Sequence, residues 1–347
     1  MLNTQAYLNP YVIAEIGVNH GGDINLAKSM IEQVARAGGH AAKFQTYKAD
    51  KIASKEHSPY YWDLKEEPSE SQYQLFTKYD KFDAQDYKVL AEHCKNCGID
   101  FLSTPFDLDA IDFLDPLMPY FKIASADCTN IPLLRKVASK NKPVIMSTGA
   151  AKLSEIELAV EILSQGGAAQ VSLLHCVLNY PTPAEHAQMA LMEQLARAFA
   201  QSCAIGYSDH VKPNDDGTMP ALEMAVLKGA TIIEKHFTYD KTLKGNDHYH
   251  AMDEHDLSAF MKKVKLYSTL HGDGRRHFEW EKRALSHARR RIMAACPIKA
   301  GEILNENNLI ALRSEIGIEV IHWDEVIGKQ AGSDIKAGRP VGWEQIK

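Results

Sequence analysis

The sequence predicts an α/β fold in which a (β/α)8 TIM barrel is followed by a small β-rich domain. Eight short apolar runs each precede a helical pattern, and together they span roughly 260 residues, which is the count and length of such a barrel. The runs are continuously apolar, as in parallel strands covered on both faces. The pattern changes after residue 270, where a second domain is expected.

The order of the elements follows from this alternation. The predicted strands are Tyr11–Val18, His40–Thr46, Ile99–Pro105, Tyr120–Ser125, Pro143–Thr148, Val171–Cys176, Cys203–Ser208 and Thr231–Phe237. The predicted helices are Asn25–Ala37, Ala84–Cys97, Ile131–Ser139, Leu153–Gln165, Met219–Lys228 and Glu254–Leu270. A doubly wound open sheet is the alternative fold. The glycines after the first strand lack the spacing of its phosphate-binding turn.

Two further segments complete the domain organisation. The long connection Tyr47–Phe82 contains several tyrosines and Trp62, which argue against disorder, so we expect a lid or wall over the barrel mouth. The predicted domains are a barrel over residues 1–270, a polar linker over 271–290 and a small domain over 291–347. The small domain repeats a Lys-Ala-Gly motif in Pro297–Leu304 and Asp334–Val341, which suits tight turns between short strands.

Composition limits the classes of partner. The 347 residues carry a formal net charge of -6, which disfavours binding to nucleic acid or to an anionic membrane surface. No apolar run is long enough to cross a bilayer, and the N-terminal residues lack the pattern of a signal peptide. The six cysteines show no disulfide framework and fit a reducing compartment. These features predict a cytoplasmic protein that acts on small molecules.

Polar residues end all eight predicted strands. The carboxyl ends of barrel strands carry the active site in enzymes of this fold. Any single strand ends somewhere polar, but here every end carries a group that can bind phosphate, a metal or a proton. These groups are Glu15, Lys43, Gln45, Thr104, Lys122, Ser125, Ser147, Thr148, His175, Asp209, His210, Glu234 and His236.

The cations among these groups indicate an anionic ligand. Lys43 and Lys122 would be costly at a barrel mouth without an anion to pair with. Together with the nearby hydroxyl side chains, they predict a site for a phosphate or a carboxylate that has several acceptor oxygens.

The histidines indicate a metal ion. His210 and His236 end neighbouring strands, so their imidazoles can share a divalent metal and leave positions open for substrate. Either histidine alone would more often be a hydrogen-bonded buried residue. Glu15 and Asp127 are candidates for proton transfer. The later histidines His248, His250 and His255 are expected in solvent, and the alternative is that one of them approaches the site.

The chain resembles the sialic acid synthase, or nonulosonic acid synthase, family, whose members end in an antifreeze-like (SAF) domain. The resemblance covers nearly the whole sequence and rests on motifs in a fixed order. These motifs are Ala14–Gly22, Lys43–Thr46, Phe101–Asp107, Lys122–Ser125, Met146–Ala150, His175 with Cys176, Tyr180–Pro183, Gly206–His210 and Glu234–Thr238.

The resemblance implies a metal-dependent barrel enzyme that condenses phosphoenolpyruvate with an open-chain N-acetylated hexosamine. It assigns phosphoenolpyruvate binding to Lys43, Thr104, Lys122, Ser125 and Ser147. It assigns Mn²⁺ or Mg²⁺ to His210 and His236, and it places Glu15, Gln45, Tyr180 and Asp247 at the sugar. It also implies a domain-swapped homodimer in which Arg313 reaches the sugar in the partner's barrel.

Three positions depart from the family pattern. Asp127 stands where the family often has Glu, Leu178 stands where an Asn is common, and the residues after Arg313 differ from the usual turn. The acceptor therefore stays open between N-acetylmannosamine, its 6-phosphate and diacetamido-trideoxyhexoses. Two other functions also stay open, namely another metal-dependent barrel aldolase and a non-catalytic carbohydrate-binding protein.

Overall fold

The computed structural model describes residues 8–245 and 247–347. The chain divides into two compact units, Met1–His271 and Gly272–Lys347. Residues 271–290, predicted as a linker, contain a 3₁₀ turn at Phe278–Glu281 and a short helix at Lys282–His287. Each unit has its own hydrophobic core, so the two are described separately.

The first unit contains the eight-stranded parallel sheet that the sequence predicts. Its strands are β1 (Tyr11–Gly17), β2 (Ala41–Thr46), β3 (Asp100–Pro105), β4 (Phe121–Ile123), β5 (Val144–Ser147), β6 (Val171–Cys176), β7 (Cys203–Asp209) and β8 (Ile232–His236). The strand order is β3-β2-β1-β8-β7-β6-β5-β4, and β3 lies beside β4. Because β1 pairs with β8, the sheet curves into a barrel, which confirms the predicted fold class.

The helices of the first unit surround this sheet. They are Ile24–Arg36, Ala49–Ile52, Gln72–Tyr79, Ala84–Asn96, Leu108–Leu114, Ile131–Ala138, Leu153–Gln165, Leu191–Phe199, Pro220–Leu227 and Glu254–His271. Several begin at a capping carboxylate, as at Asp23, whose side chain accepts hydrogen bonds from two backbone N–H groups. The helix Leu191–Phe199 was not predicted from the sequence, although Met192, Leu195 and Phe199 form a buried face at helical spacing.

One glycine allows two barrel strands to approach closely. A Cβ atom at Gly206 in β7 would clash with the carbonyl oxygen of Ile232 at the start of β8. The glycine therefore lets β7 and β8 lie side by side, with their carboxyl ends adjacent. Those ends carry His210 and His236.

The long connection after β2 is ordered by its own contacts. It contains the helices Ala49–Ile52 and Gln72–Tyr79. Between them, Trp62 Nε1 donates hydrogen bonds to the carbonyl oxygens of Glu67 and Ser69, at 3.0 and 3.2 Å. Further along, Glu66 accepts a hydrogen bond from the backbone N–H of Gly245, in the loop after β8. The connection is thus fastened across the barrel mouth.

The second unit is a small β-rich domain. Its strands β9 (Arg290–Ala294) and β10 (Leu309–Arg313) are antiparallel, and it contains the short helix Trp323–Val326. Ile298 and Ile335, which occupy matching places in the two sequence repeats, exchange backbone hydrogen bonds of 2.8 Å. Gly301 and Gly338 follow them with positive φ angles, as expected of the two tight turns. The repeated motifs therefore pair with each other.

Among the residues that the structure describes, none of the helices has the length and apolar character needed to span a membrane.

Candidate active site

A cavity of about 340 Å³ opens at the carboxyl end of the barrel strands. All twelve barrel residues that the sequence assigned to a site line it. They are Glu15, Lys43, Gln45, Thr104, Lys122, Ser125, Asp127, Ser147, Tyr180, His210, His236 and Asp247. Arg313 lies on the second unit, at the end of β10. Its guanidinium is exposed and forms no ion pair with the residues that the structure describes.

Two lysines and two glutamates form a buried, charge-balanced cluster in this cavity. Lys43 pairs with Glu15 and lies 3.6 Å from Glu234 Oε2. Lys122 lies 3.4 Å from Glu234 Oε1. All four side chains are almost inaccessible to solvent. Since an unpaired buried charge is costly, each ion in the cluster depends on the others.

The pKa values of these groups follow from their pairing. Burial would raise the pKa of Glu234, but Lys122 and Lys43 outweigh it and lower that pKa to about 2. Burial raises the pKa of Glu15, and this effect prevails over the opposing charge of Lys43. Burial also lowers the pKa of Lys122. Glu234 is therefore the fixed anion of the cluster, and Glu15 is the carboxylate that most readily takes up a proton.

The low pKa of Glu234 predicts how stability depends on pH. A carboxylate with a depressed pKa stabilises the fold above its unfolded pKa, and this contribution disappears as the pH falls toward the folded value. We expect Glu234→Gln to be less stable than the wild type at pH 7, by on the order of 3 kcal/mol. The difference should shrink between pH 4.5 and about 2.

Urea unfolding at a series of pH values measures this difference. Glu157→Gln, which changes an exposed glutamate in the same way, is the matched control and should differ little from the wild type at any pH. A Glu234→Gln deficit that stays constant down to pH 2.5 would contradict the assignment of the charge to Glu234.

Hydroxyl groups surround the two lysines. Lys43 Nζ donates to Thr104 Oγ1 at 3.1 Å, and Lys122 Nζ donates to Ser147 Oγ at 2.8 Å. Ser125 Oγ accepts a hydrogen bond from the backbone N–H of Gly149 at 2.9 Å. Two ammonium groups and three hydroxyls thus converge on one region of the cavity, an arrangement that matches the acceptor oxygens of a phosphate or carboxylate.

His210 and His236 face each other in the same cavity. Their ring centroids are 5.3 Å apart, and Tyr180 stacks at a tilt on His210 with centroids 4.1 Å apart. His210 Nδ1 lies 2.7 Å from the carbonyl oxygen of Val177, so Nδ1 carries the proton and donates it to that oxygen. This leaves Nε2 of His210 as the ring nitrogen that is available to a metal.

A buried network fixes the turn that carries His210. Lys235 Nζ pairs with Asp209 Oδ2 at 2.7 Å and donates to the carbonyl oxygen of Val211 at 2.6 Å. Asp209 Oδ1 accepts hydrogen bonds from the Tyr207 hydroxyl and from the backbone N–H of Val211. These bonds bracket His210 on both sides in the sequence and hold its backbone in place.

His236 lies against Asp247, and Asp247 lies against His250. His236 Nδ1 is 3.1 Å from Asp247 Oδ2, which is within ion-pair distance. His250 Nε2 is 3.3 Å from Asp247 Oδ1. Burial would raise the pKa of Asp247, but His236 and His250 hold it well below its usual range. Burial lowers the pKa of His250 to about 3, so this imidazole is neutral.

The expectation that the later histidines lie in solvent is wrong for two of them. His250 is fully buried and His248 is nearly so, whereas His255 is exposed. His250 is buried because the chain after β8 folds back over the barrel mouth, where Phe237 and Met252 form a bridge. Alternating polar residues gave no indication of this fold-back.

The donor set fits a divalent metal ion. One ligand atom each from His236, Asp247 and His250 lie within 4.8 Å of one another, and His210 is adjacent. Imidazole nitrogens with a nearby carboxylate are typical of transition-metal sites with open positions. Mn²⁺ accepts such nitrogen ligands more readily than Mg²⁺, which prefers oxygen.

Asp127 sits at the edge of the cavity, in the turn after β4. Burial raises the pKa of its carboxyl group, and a 2.9 Å hydrogen bond from Asn130 Nδ2 opposes this effect. A half-buried carboxyl with a raised pKa suits proton transfer. Asp127 and Glu15 are therefore both competent to hold a proton near the substrate.

One wall of the cavity is apolar. It comes mostly from the connection Tyr47–Phe82, as the sequence predicts, and Leu178 completes it. The side chains of this wall are Ile52, Tyr61, Trp62, Leu75, Phe76 and Leu178. The wall is closed against Tyr180, whose ring lies 6.4 Å from that of Tyr61. The same connection also contributes the polar side chains of Glu67, Gln72 and Tyr79 to the lining.

The comparisons with known proteins agree with this architecture. The NeuB family profile matches residues 30–276, and the SAF domain profile matches residues 289–347. The N,N'-diacetyllegionaminic acid synthase of Campylobacter jejuni is 39% identical over 330 residues, covering 94% of this chain and 96% of that protein. The N-acetylneuraminate-9-phosphate synthase of Drosophila melanogaster is 32% identical, covering 88% of this chain and 82% of that one.

A solved structure shows the same relationship. The N-acetylneuraminic acid synthetase of Leptospira borgpetersenii, in complex with citrate, superposes with a TM-score of 0.68 at 32% identity and covers 80% of this chain and 91% of that one. Profile, sequence and structure therefore agree, and the chain belongs to the NeuB family, with a SAF domain over residues 289–347.

Proposed function

We propose that the chain condenses phosphoenolpyruvate with an N-acetylated hexosamine to give a nonulosonic acid and phosphate. The observation that carries this proposal is that one cavity brings together two lysines with three hydroxyl groups, a pair of histidines and several apolar side chains. The named relatives are synthases of such acids.

The anion-binding region suits phosphoenolpyruvate. Lys43 and Lys122 neutralise its phosphate and carboxylate, and Thr104, Ser125 and Ser147 donate to the remaining oxygens. To admit the ligand, the lysines exchange part of their pairing with Glu15 and Glu234 for the substrate oxygens. The lysines stay charged and paired in this exchange, and Glu15, whose pKa burial raises, can take up a proton as it loses part of its pairing.

The histidines suit the carbonyl end of the open-chain sugar. His210 and His236 would hold a divalent metal, Mn²⁺ or Mg²⁺, which when bound polarises the aldehyde oxygen. Gln45, Tyr180 and Asp247 orient the sugar beside them. Gln45 Nε2 already donates to Glu15 Oε1 at 3.0 Å, which fixes the amide at the boundary between the two substrates.

The carboxylates suit the charge that develops during the reaction. Carbon 3 of the enol attacks the aldehyde carbon, and carbon 2 becomes an oxocarbenium ion. Glu234, which stays ionised, stabilises this cation. Water then adds to carbon 2 and loses a proton to Glu15 or Asp127, and a proton passes to the former aldehyde oxygen, which becomes a hydroxyl group. The tetrahedral intermediate collapses to the ketone as the bond from carbon 2 to the phosphate oxygen breaks and phosphate leaves.

The apolar wall supports a diacetamido-trideoxyhexose as the acceptor over N-acetylmannosamine. A 6-deoxy sugar ends in a methyl group, and Leu178 with the side chains of Tyr47–Phe82 offers it an apolar surface. The higher identity to the diacetyllegionaminic acid synthase than to the neuraminate-9-phosphate synthase agrees with this choice.

The acceptor can be tested with a variant at the wall. We expect Leu178→Asn to lose roughly ten- to a hundredfold in kcat/KM for the trideoxy acceptor, because an apolar contact of this size contributes 1–3 kcal/mol. Activity with N-acetylmannosamine should change less. Mass spectrometry of the product and phosphate release with both acceptors provide the measurement. Leu158→Asn, at an exposed leucine, is the matched control.

The same assay tests the proposed function as a whole. Phosphate release that requires both phosphoenolpyruvate and an amino sugar excludes an aldolase with another substrate and also a non-catalytic carbohydrate-binding protein. Product formation without phosphoenolpyruvate, or no product from any acceptor in the panel, would contradict the proposal.

The proposal also includes the assembly and the location of the enzyme. The chain would act in the cytoplasm as a domain-swapped homodimer, in which Arg313 of one protomer reaches the sugar in the partner's barrel. The exposed guanidinium is free of ion pairs with the described residues, and it suits the carbonyl oxygen of an N-acetyl group.

A further inference from the structure

We propose that His250 is a positioning residue, which holds Asp247 so that Asp247 in turn fixes the tautomer and orientation of His236. The inference rests on the proposed function in one respect, namely that His236 binds a divalent metal. It adds a role for a residue that the mechanism above does not use.

His250 is buried behind Asp247, outside the cavity. Its side chain is completely buried, yet it does not line the cavity. Nε2 lies 3.3 Å from Asp247 Oδ1, and Nδ1 has no hydrogen-bond partner among the described residues. Since the neighbour of Nε2 is a carboxylate, which only accepts, Nε2 carries a proton. His250 therefore donates a hydrogen bond to Oδ1 of Asp247, the oxygen that does not face His236.

The other oxygen of Asp247, Oδ2, faces His236 Nδ1 at 3.1 Å. A neutral imidazole carries one proton, so a ring that binds a metal through Nε2 must carry this proton on Nδ1. Asp247 is placed to accept it, and a carboxylate in this position orients a metal-binding histidine and raises its basicity.

His210 and His236 differ in the group that faces their Nδ1 atoms. Nδ1 of His210 donates to the carbonyl oxygen of Val177, which the backbone supplies directly. His236 has a side chain in the equivalent place, and a side chain can rotate unless another group holds it. His250 supplies that group, and its ring packs 4.9 Å from the ring of His236. The two metal-binding histidines are thus fixed by different means.

The alternative is that His250 binds the ion itself. The ligand atoms of His236, Asp247 and His250 lie within 4.8 Å of one another, as a three-residue chelate would require. The absence of His250 from the cavity lining favours the positioning role. The two roles differ in how His250 acts, since positioning passes through Asp247 and His236, whereas chelation acts on the ion directly.

A pair of variants separates these roles. His250→Gln places an amide N–H near the position of Nε2, whereas His250→Phe keeps the ring volume and removes both nitrogens. Titration of the metal-free protein with Mn²⁺, without substrates, is followed by calorimetry. We expect His250→Phe to weaken Mn²⁺ binding by roughly ten- to a hundredfold, because the loss of a group that supports a metal ligand through hydrogen bonds has an effect of this size. Gln should restore binding to within about threefold of the wild type, because it restores the donor.

Controls make each outcome decisive. His255→Gln and His255→Phe, at the exposed histidine of the same segment, should bind Mn²⁺ like the wild type. In a His236→Ala background, His250→Phe should produce no further loss, because the effect passes through His236. Wild-type affinity in His250→Phe would overturn the inference and leave the proposed function standing. Equal loss in Gln and Phe would also overturn it, because the restored N–H donor would then have no effect on Mn²⁺ binding, and a further loss from His250→Phe in the His236→Ala background would indicate direct chelation. A wild type that binds no Mn²⁺ would overturn the metal assignment itself.

Discussion

His236→Ala should lower kcat/KM by roughly a thousandfold or more, because polarisation of a carbonyl by a metal contributes several kcal/mol and each 1.4 kcal/mol is tenfold in rate. The variant removes the proposed metal-binding side chain at the end of β8. It also removes the imidazole that pairs with Asp247. Phosphate release from phosphoenolpyruvate and acceptor measures the loss, and Mn²⁺ calorimetry shows whether binding is lost with it.

The control for this experiment is His186→Ala, which changes an exposed histidine in the turn after Pro183. It should keep wild-type activity. Circular dichroism should show that the barrel of His236→Ala remains folded, since the ring borders a cavity rather than the core. Full activity of His236→Ala in a chelated sample would refute the metal-dependent mechanism.

Mixing two inactive variants should restore activity if Arg313 acts in the partner's barrel. Arg313→Ala keeps a sound barrel, and His236→Ala keeps a sound Arg313. After subunit exchange half of the dimers are mixed, and each mixed dimer has one complete site of two, so about a quarter of the wild-type activity should return. Without exchange, each variant alone should stay near its own background rate.

The readout is phosphate release before and after exchange, with exchange verified by native mass spectrometry of isotope-labelled subunits. Arg313→Lys should be rescued in the same way, because a lysine does not reproduce the planar, multi-donor guanidinium. If verified exchange restores nothing, Arg313 acts in its own barrel or has no part in the reaction.

The fold was largely predictable because each strand carries its own signal. A parallel strand covered on both faces needs a continuous apolar run, and Val171–Cys176 was identified to the residue for this reason. The long connection after β2 was less predictable. Its helices Ala49–Ile52 and Gln72–Tyr79 are short, and the second has no fully buried residue, so neither shows a clear apolar face.

The site was predictable where strands end and unpredictable where loops return. Lys43, Lys122 and His236 follow from the rule that barrel sites lie at the carboxyl ends of strands. Glu234 was also identified at the end of its strand, but its pairing with both lysines depends on tertiary structure. The burial of His250 could not be predicted, because it depends on how the chain after β8 folds back, and this follows from tertiary contacts.

The apolar side chains that line the cavity limit how selective the proposed reaction can be for its acceptor sugar. An apolar surface binds a methyl group favourably. It discriminates only weakly against a hydroxyl group of similar size, by about a hundredfold in kcat/KM at most. Leu178 and Trp62 offer a hydroxylated acceptor neither a hydrogen bond nor a steric barrier. Such an enzyme makes a clean product only when the competing sugar is scarce. The purity of the product then depends on which acceptor sugars are available rather than on the selectivity of the apolar side chains.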